Sequence, residues 1–460
     1  MLRFISPTLT LPLTRATSTS TPSITLPTLE SVVHYAREKG FVSAAADAHG
    51  GFRGGYTYLP LGTRLKANLV SAWWKAFVHS RRDMHPVDSP ILTPPSVLAA
   101  TGHLESFGDP VAACVACGKP VRADSPGACG ACGKKHGVVE GGEVFNLLFE
   151  TRAGAGEGRE MLLRPETAQG MFTAVNEVVR AMRISRLPFG TACVGKAFRN
   201  EISPRDFLFR VREFEQGEIE WFAHKDDADQ WFVHWVEAAE TWLGGMLNHP
   251  DHLLRLVPHP GDDLAHYARA TTDIEFKYPF GWGELWGVAD RGSFDLDAHA
   301  AATSSKIPAL LEDAVVIEPS LGFDRLVFAV LVDAMATTED SRPGVLALAP
   351  SIAPIKATVL PLVAKDAELV AKAVALARGL GPIIGDVTLE TSGSIGKRYR
   401  RADSLGVPVC ITVDSDSLDA GSGTFTVRNR DTKEQKKLGV DDLIPYLMDA
   451  LSPPASLPTS

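Results

Sequence analysis

Charged and aromatic side chains alternate between residues 199 and 222, in a pattern that could bind phosphate and ammonium groups. The charged members are Arg199, Glu201, Arg205, Arg210, Arg212, Glu213, Glu215, Glu218 and Glu220. We predict a strand over 192–199, a loop over 200–206 and a returning strand over 207–222. Alternation along the returning strand places four side chains on one face, namely Arg212, Phe214, Gln216 and Glu218. Such a face could bind a polyanion, stack on the aromatic ring of a ligand and bind an ammonium group.

The alternative for this hairpin is a solvated sheet edge covered by ion pairs. Five interspersed aromatic residues favour burial instead, and these are Phe207, Phe209, Phe214, Trp221 and Phe222. Buried charges need partners or ligands. The sequence therefore favours a ligand site.

A second candidate anion site lies where residues 318–325 precede an apolar run, 326–332, that predicts a helix buried on all sides. Arg325 falls in the first turn, where the helix dipole disfavours a cation. A bound anion would reverse that balance, because it would meet both the guanidinium and the free amides. The alternative is that Asp324 simply pairs with Arg325.

Four cysteines form two Cys-x-x-Cys pairs, Cys114 with Cys117 and Cys129 with Cys132, separated by eleven residues. Two such pairs can supply four thiolates to a tetrahedral zinc ion, and a closed four-thiolate site is structural. The remaining cysteines, Cys193 and Cys410, are isolated. This usage predicts a reducing compartment rather than a disulfide framework.

Length and composition indicate which elements position these groups. The chain has 460 residues, 45% of them hydrophobic and 22% charged, with a net charge of −9. These values predict two or three folded domains and exclude a largely disordered chain or a basic protein that coats nucleic acid. No apolar run approaches the ~20 residues of a membrane span, so we expect no membrane partner.

The pattern along the chain predicts an α+β protein. We expect helices over 30–40, ended by Gly40, and over 65–79, with a glycine-rich loop over 49–62. Strands and helices alternate from 145 to 333. After a linker at 346–354 come a strand over 355–362 and helices over 367–380 and 440–451. The predicted domains are 30–345, with a zinc-binding insert at 111–137, and 346–460.

Residues 1–29 are rich in Ser, Thr and Pro, with Arg3 and Arg15 as their only charged side chains. This composition predicts a disordered tail. The alternative is an organelle transit segment, which is also rich in Ser and Arg and poor in acids. We therefore expect a cytoplasmic protein, or a mitochondrial or plastid one if the segment is a transit peptide.

Several longer motifs carry a family resemblance. Residues 163–170 are LRPETAQG, 195–205 are GKAFRNEISPR and 209–216 are FRVREFEQ; 284–287 are ELWG and 316–320 are VIEPS. Together with 353–356 (APIK) and 395–401 (IGKRYRR), they resemble the dimeric glycyl-tRNA synthetases, a family of class II aminoacyl-tRNA synthetases. The resemblance covers about residues 30–450.

The resemblance implies a catalytic antiparallel sheet of six or seven strands flanked by helices, followed by an α/β anticodon-binding domain. It also implies a homodimer whose interface is built from the helix near 65–79 and the strand near 87–93. The implied activity is glycine–tRNA ligase, with glycine, ATP and tRNA(Gly) as substrates, Mg²⁺ in the ATP site and a structural Zn²⁺.

The family's functional residues transfer by position, and their roles here are those that the resemblance implies. Arg199, Glu201 and Arg325 are the catalytic candidates. Arg199 would contact the α-phosphate and the amino-acid carboxylate, Phe214 the adenine, Arg325 the γ-phosphate and Glu284 the Mg²⁺. The ATP set is Arg199, Asn200, Glu201, Phe209, Arg210, Val211, Arg212, Glu213, Phe214, Glu284, Leu285, Gly322, Phe323, Asp324 and Arg325. The glycine set is Arg122, Glu166, Phe214, Glu215, Gln216, Glu218, Glu318 and Ser320.

Two departures from the family pattern leave specificity open. Gly217 stands where methionine is usual, and Trp286 stands where glutamate is usual. Both are expected near the amino-acid pocket. The alternatives are a class II ligase of other specificity, or a non-catalytic tRNA-binding or polymerase-accessory protein on the same scaffold. A basic cluster at Lys397, Arg398, Arg400 and Arg401, with Lys433, Lys436 and Lys437, is the candidate RNA patch.

Overall fold

The computed structural model describes residues 23–123, 127–129, 132–137, 143–260, 264, 268–303, 307–419 and 423–452. Most of the predicted tail, residues 1–22, therefore lies outside the described residues, as do parts of the zinc-binding insert. Among the described helices, none combines the length and the apolar character that crossing a bilayer requires.

The N-terminal three-quarters of the chain contain the following helices: α1 (Leu29–Lys39), α2 (Pro60–Trp74), α3 (Pro95–Ala100), α4 (His103–Ser106), α5 (Ala168–Met182), α6 (Ala228–Met246), α7 (Pro250–Leu253), α8 (Phe294–Thr303) and α9 (Phe323–Met335). The strands are β1 (Val42–Ala44), β2 (Tyr56–Tyr58), β3 (Met84–Pro86), β4 (Leu92–Thr93), β5 (Gly108–Ala113), β6 (Pro120–Arg122), β7 (Gly127–Ala128), β8 (Lys135–His136), β9 (Glu143–Asn146), β10 (Phe149–Ala153), β11 (Arg159–Leu163), β12 (Phe189–Phe198), β13 (Glu213–His224), β14 (Leu254–Pro258), β15 (Ala270–Tyr278), β16 (Gly281–Gly292) and β17 (Ala314–Gly322).

A seven-stranded sheet forms the centre of this region, in the order β14-β15-β16-β17-β13-β12-β3. All its neighbouring strands are antiparallel except β3, which runs parallel to β12. The expected antiparallel sheet is thus confirmed. Sequential strands β15, β16 and β17 are neighbours, which fixes their register through local connections.

The two faces of this sheet are covered differently. Helices α2, α6 and α9 bury one face through a large apolar core that includes Trp73, Trp235 and Phe328. On the other face, α5 and α8 cover only part of the sheet, through a smaller cluster that includes Phe172 and Phe222. Because strand side chains alternate, Glu218 and Glu220 share this second face with Phe222. The polar groups of β13 therefore open into a space that the helices leave uncovered.

Helix α9 begins at Phe323 and buries every residue from Leu326 to Val332. The predicted all-round burial is confirmed. The helix over 30–40 is also confirmed as α1, which Gly40 ends with a φ of 81°. This left-handed conformation is easily adopted by glycine, which has no Cβ to clash.

Several predicted boundaries were wrong: the strand over 192–199 begins at Phe189, and the helix over 367–380 extends to Ile384. The loop over 49–62 ends early, since β2 spans Tyr56–Tyr58 and α2 begins at Pro60. Gly62 therefore belongs to the helix, where a Cβ would come within 1.9 Å of the Phe41 carbonyl oxygen. Glycine is needed there for close packing rather than for a flexible loop.

The returning strand of the hairpin starts at Glu213 rather than at residue 207. Residues Phe207–Phe209 form a short 3₁₀ turn, and Phe207 and Leu208 are buried in the core. Phe207 and Phe209 thus belong to a turn, whereas Phe214, Trp221 and Phe222 lie on the strand. Arg212 consequently precedes the strand, although Phe214, Gln216 and Glu218 do alternate on one face as predicted.

The C-terminal region contains α10 (Ala367–Ile384), α11 (Ile395–Ser404) and α12 (Val440–Ala450), with strands β18 (Ala357–Pro361), β19 (Val387–Leu389), β20 (Val409–Val413), β21 (Thr424–Asn429) and β22 (Gln435–Gly439). The strands form one mixed sheet in the order β19-β18-β20-β21-β22, with α10 and α12 packed on its core. This is the expected α/β architecture. The linker over 346–354 has no helix or strand, but Leu346, Leu348 and Ile352 are buried.

Candidate functional site

A cavity of about 490 Å³ opens on the second face of the seven-stranded sheet. Strands β13, β15, β16 and β17 and the start of α9 form its walls. The structure brings sixteen of the predicted site residues together in its lining: Glu166, Arg199, Glu201, Phe209, Arg210, Val211, Phe214, Gln216, Glu218, Glu284, Leu285, Glu318, Ser320, Gly322, Asp324 and Arg325.

Six predicted residues do not line the cavity, namely Arg122, Asn200, Arg212, Glu213, Glu215 and Phe323. Phe323 is fully buried in the core, and Glu213 pairs with Lys196 at the sheet surface. Glu215 contacts Lys66 at 2.7 Å, on the α2 side of β13. Strand alternation explains these last two positions, because odd-numbered residues of β13 face away from the cavity.

Arg199 lies between two aromatic rings at one end of the cavity. Its guanidinium carbon is 5.3 Å from the ring centroids of both Phe107 and Phe214, and its Nε donates to the Pro165 carbonyl at 3.1 Å. Stacked rings and one backbone acceptor hold the group while leaving donors directed at the cavity. An arginine held in this way suits a phosphate or a carboxylate.

Arg325 approaches the same end of the cavity from the first turn of α9. Its Nη1 donates to the Glu284 carboxylate at 3.0 Å, and its guanidinium carbon lies 4.3 Å from the Phe209 ring centroid. Although burial opposes it, the Arg325 guanidinium lowers the pKa of Glu284. Both side chains remain partly exposed, at 29% and 47%, so they can exchange this contact for a ligand.

The alternative that Asp324 neutralises Arg325 was wrong. The Asp324 carboxylate instead accepts from the Tyr58 hydroxyl at 2.5 Å, from the Lys66 ammonium at 3.2 Å and from the Glu215 amide at 2.7 Å. Successive residues of a helix point about 100° apart. Asp324 therefore faces α2 and fixes β13 against α9, while Arg325 faces the cavity.

Two titratable cavity residues, Asp273 and His259, were not identified from the sequence. The Asp273 carboxyl on β15 lies 2.9 Å from the His259 Nε2, and both side chains line the cavity beside Glu284. Burial, followed by the charge of Glu284, raises the pKa of Asp273 to about 6. Neither residue belongs to a motif, and only the pairing of β15 with β16 places Asp273 near Glu284.

The opposite end of the cavity is acidic and buried. Glu218 is 2% exposed and accepts hydrogen bonds from the Thr167 amide at 2.8 Å, the Thr167 hydroxyl and the Ser320 hydroxyl at 2.8 Å. Glu166 contacts the His103 Nε2 at 3.3 Å. Although burial opposes it, His103, followed by Arg291, holds the pKa of Glu166 well below its ordinary value. Fixed carboxylates of this kind can bind an ammonium group.

Arg291 lies under this acidic end and is 1% exposed. It donates to Asp295 at 2.7 and 2.9 Å and to Glu318 at 2.8 Å. Arg291 is not among the site residues that the sequence predicted. Their separation by only four residues was the available signal, because the chain passes directly from the end of β16 into the first turn of α8.

Gly217 and Trp286 do not line the cavity, contrary to their expected position near the amino-acid pocket. A Cβ on Gly217 would come within 2.8 Å of the Phe323 ring, on the α2 and α9 side of the sheet. Trp286 is fully buried, with its ring centroid 5.5 Å from Phe77 and 5.7 Å from Trp242. Both departures are therefore adjustments of the core behind the sheet.

The four paired cysteines form a cluster in the insert. Their sulfur atoms all lie within 4.8 Å of one another, with Cys114 to Cys132 at 3.8 Å and Cys117 to Cys129 at 3.5 Å. All four thiols are free of disulfides. Four sulfurs about 2.3 Å from a tetrahedral zinc ion would be about 3.8 Å apart. The donor set and its spacing fit zinc.

The basic residues of the C-terminal region differ in exposure: some are buried and bond to the protein, and others lie on the surface. Arg398 is 2% exposed and donates to the Pro361 carbonyl at 2.6 Å, so its assignment to an RNA patch was wrong. Its guanidinium instead satisfies the carbonyls at the end of β18. Lys397 and Arg400 are exposed, and Arg401 pairs with Glu390.

Two family models match this chain. Residues 149–333 match the tRNA synthetase class II core domain (G, H, P, S and T), and residues 356–449 match an anticodon binding domain. Among solved structures, the chain is similar to Giardia lamblia prolyl-tRNA synthetase in complex with prolyl-adenylate. The TM-score is 0.60 at 15% identity, over 90% of this chain and 74% of that one, which shows the shared fold.

Curated relatives are similar over nearly the whole chain. The glycine–tRNA ligase of Lysinibacillus sphaericus is 39% identical over 91% of this chain and 98% of its own length. That of Bacillus cereus is 41% identical over 91% and 98%, and that of Alkaliphilus metalliredigens is 38% identical over 93% and 99%. Similarity of this extent, together with the two matched domains, means that the chain belongs to the glycine–tRNA ligase family of class II aminoacyl-tRNA synthetases.

Proposed function

We propose that this chain activates glycine with ATP and transfers the glycyl group to the 3′ end of tRNA(Gly). One observation carries the proposal: a single cavity has cationic and aromatic side chains at one end and buried carboxylates at the other. An anionic nucleotide suits the first end, and an ammonium group suits the second. Glycine is small enough to reach the carboxylates while its own carboxylate meets Arg199.

In the first step, a glycine carboxylate oxygen forms a bond to the α-phosphorus of ATP. The bond from that phosphorus to the bridging oxygen breaks, and pyrophosphate leaves with the electron pair. Arg199 would offset the charge that develops at the α-phosphate, and Arg325 would hold the γ-phosphate. Positioning and charge neutralisation supply most of the catalysis in such transfers.

The cavity also fits a magnesium ion. Asp273 and Glu284 bring two carboxylates close together, and their mutual charge contributes to raising the pKa of Asp273. A divalent cation with oxygen ligands would relieve that repulsion. Glu284 would hold the ion, with Asp273 as the second candidate ligand. When bound, Mg²⁺ supplies charge neutralisation for the phosphate oxygens.

In the second step, the terminal ribose hydroxyl of tRNA attacks the carbonyl carbon of glycyl-adenylate. AMP leaves, and the hydroxyl proton is lost. The region over residues 356–449, which matches an anticodon binding domain, would contact the tRNA far from the cavity. Lys397 and Arg400 are exposed there and would meet phosphate groups.

We further propose a homodimer, a structural zinc ion and a cytoplasmic location. Strand β3 ends the seven-stranded sheet and pairs only with β12 among the described strands, so its other edge is open to a second copy. A cavity of about 920 Å³ beside it is lined partly by Arg81, Arg183 and Trp235.

Free thiols at the cysteine cluster suit a reducing compartment.

Amino-acid-dependent exchange of pyrophosphate into ATP tests the activation step, with glycine beside alanine, serine and proline. We expect exchange with glycine alone. Glu218→Gln should raise KM for glycine at least tenfold with little change in KM for ATP, because Glu218 lies at the acidic end. Glu312→Gln, at an exposed position outside the cavity, is the matched control. Exchange with none of the four amino acids by the zinc-loaded, folded protein would overturn the proposal.

A further inference from the structure

The acidic end of the cavity holds more carboxyl groups than its cations can neutralise. The groups facing one another come from β13, β17, α8 and the segment before α5, and they are Glu166, Glu218, Glu220, Asp295 and Glu318. The cationic side chains among them are Arg291 from β16 and His103 from α4, and Arg199 also acts on Glu166 from the wall of the cavity. An uncompensated buried charge is costly, so such a set holds protons or awaits a cation.

Glu220 is the most extreme member of this set. It is fully buried, and neither of its carboxyl oxygens has a hydrogen-bond partner among the described residues. Thr191, its register partner on β12, is also fully buried with an unpartnered hydroxyl. Burial, followed by the charge of Glu318, keeps the pKa of Glu220 well above its ordinary value. Burial without a partner therefore favours the neutral form of the Glu220 carboxyl.

Glu318 differs from Glu220 because it reaches both a cation and the cavity. It accepts from Arg291 at 2.8 Å and lines the cavity together with Glu166 and Glu218. Arg291, however, is already shared with Asp295. Burial raises the pKa of Glu318 to about 8, with Arg291 acting against that rise and Glu218 adding to it. Burial among like charges thus favours the protonated form of Glu318 near neutral pH in the absence of a substrate.

We propose that the ammonium group of glycine replaces a proton held at Glu318, while Glu220 beneath it stays neutral in both states. This inference rests on the proposed function. The Glu318 carboxyl loses its proton to solvent, and the resulting carboxylate faces the bound ammonium group, so the charge at the acidic end is unchanged. The affinity for glycine therefore depends on pH through Glu318. Glu220 is a positioning residue: because it stays neutral, it adds no negative charge beneath Glu318.

The sign of the pH dependence follows from this exchange. Glycine binds the ionised form of Glu318 more tightly, so its binding lowers the pKa of that group. Below pH 8, binding must therefore release a proton, and KM for glycine should fall by up to about tenfold per pH unit as the pH rises. Near pH 8 and above, Glu318 is already ionised and the dependence should level off.

Calorimetry and steady-state kinetics test the proposal on the full chain. Titration of glycine with a non-hydrolysable ATP analogue present, in two buffers of different ionisation enthalpy at pH 7, should show release of close to one proton per bound glycine. KM for glycine in pyrophosphate exchange, measured from pH 6 to 8, should fall as described. Glycine stays zwitterionic over this range, so the slope belongs to the protein.

Two neutral isosteres separate the roles of the paired acids. Glu318→Gln should raise KM for glycine and abolish its pH dependence, whereas Glu220→Gln should keep the slope with KM changed less than about threefold. Exchange with glycine but no proton release by the unmodified protein would overturn this inference and leave the proposed function standing. A tenfold or larger rise in KM for Glu220→Gln would show that Glu220 is charged. No exchange at any pH would overturn the proposed function itself.

Discussion

The two ends of the cavity use arginine in opposite ways. At the end that we propose for ATP, the nucleotide end, Arg199 and Arg325 are held by aromatic rings and backbone carbonyls, and Arg325, which also pairs with Glu284, remains 29% exposed. At the acidic end, Arg291 is 1% exposed and donates to two carboxyl groups at 2.9 Å or less. The guanidiniums of Arg199 and Arg325 are available to a ligand, whereas that of Arg291 is bonded to buried groups of the protein itself.

This difference matches the size of the two ligands that we propose for the cavity. ATP carries several charges and a ring, so exposed arginines can bind it strongly and adjust to it. Glycine offers one ammonium group and no side chain. Selection against larger amino acids therefore depends on rigid residues around the pocket, which leave no room for a side chain. A buried, mutually bonded network provides such rigid residues, because displacing any member would leave another charge without a partner. A site for glycine needs no editing step, since no amino acid is smaller.

The largest effect should come from removing the buried cation. Arg291→Met leaves Asp295 and Glu318 without their guanidinium, so we expect a loss of about 3–5 kcal/mol of unfolding free energy and of glycine-dependent exchange. Urea unfolding measures the first effect. Arg269→Met is the control, because Arg269 is 55% exposed and pairs with Asp290 at 3.5 Å; its expected loss is about 0–1 kcal/mol. Equal losses for both variants would contradict the distinction between the two ends.

At the nucleotide end, we expect an effect on catalysis without one on stability. Arg199→Lys keeps the charge but loses the planar fork, so kcat/KM for ATP should fall by about 10²–10³. The urea midpoint should stay unchanged, because the fold depends little on this side chain. Arg205→Lys, on the same hairpin at 45% exposure, should have wild-type kinetics. A shift of the urea midpoint for Arg199→Lys would show that this end is also structural.

Gly217→Ala tests whether the sheet core and the pocket are independent. The new Cβ would press on Phe323 and Trp73, and overpacking of this kind costs about 1–3 kcal/mol. Discrimination between glycine and alanine should not change, because the position faces away from the cavity. Gly396→Ala has open space around it and should slightly stabilise α11. Altered discrimination in Gly217→Ala would place the residue in the pocket after all.

The smallest effect is expected from the zinc site, and it should fall on the nucleotide end. The purified protein should carry about one zinc ion per chain, and Cys129→Ser should lose it, whereas Cys410→Ser, in the C-terminal sheet, should not. Arg122 of the insert pairs with Asp109 at 3.0 Å, and Asp109 lies 3.6 Å from Arg210. Loss of zinc should therefore raise KM for ATP several-fold and leave KM for glycine nearly unchanged.

Local patterns predicted much of the site. The spacing of the cysteines, the alternation of Phe214, Gln216 and Glu218, and the position of Arg325 in the first turn of α9 are all present in the structure. These features depend on neighbouring residues and on the fixed periods of helices and strands. The partners of the same groups were not predicted: Asp324 binds Tyr58 and Lys66 from far along the chain, and Arg325 meets Glu284.

The sequence by itself determined the fold class, the family and the identity of most residues that meet in the cavity. Only the tertiary structure decided which arginines stay available to a ligand and which bond to buried carboxyl groups of the protein. It also placed Asp273 beside Glu284, buried Glu220 without a partner, and turned Gly217 and Trp286 away from the pocket. The reason is physical: charge state and burial depend on all the groups within a few ångströms, and strands distant in sequence supply those groups.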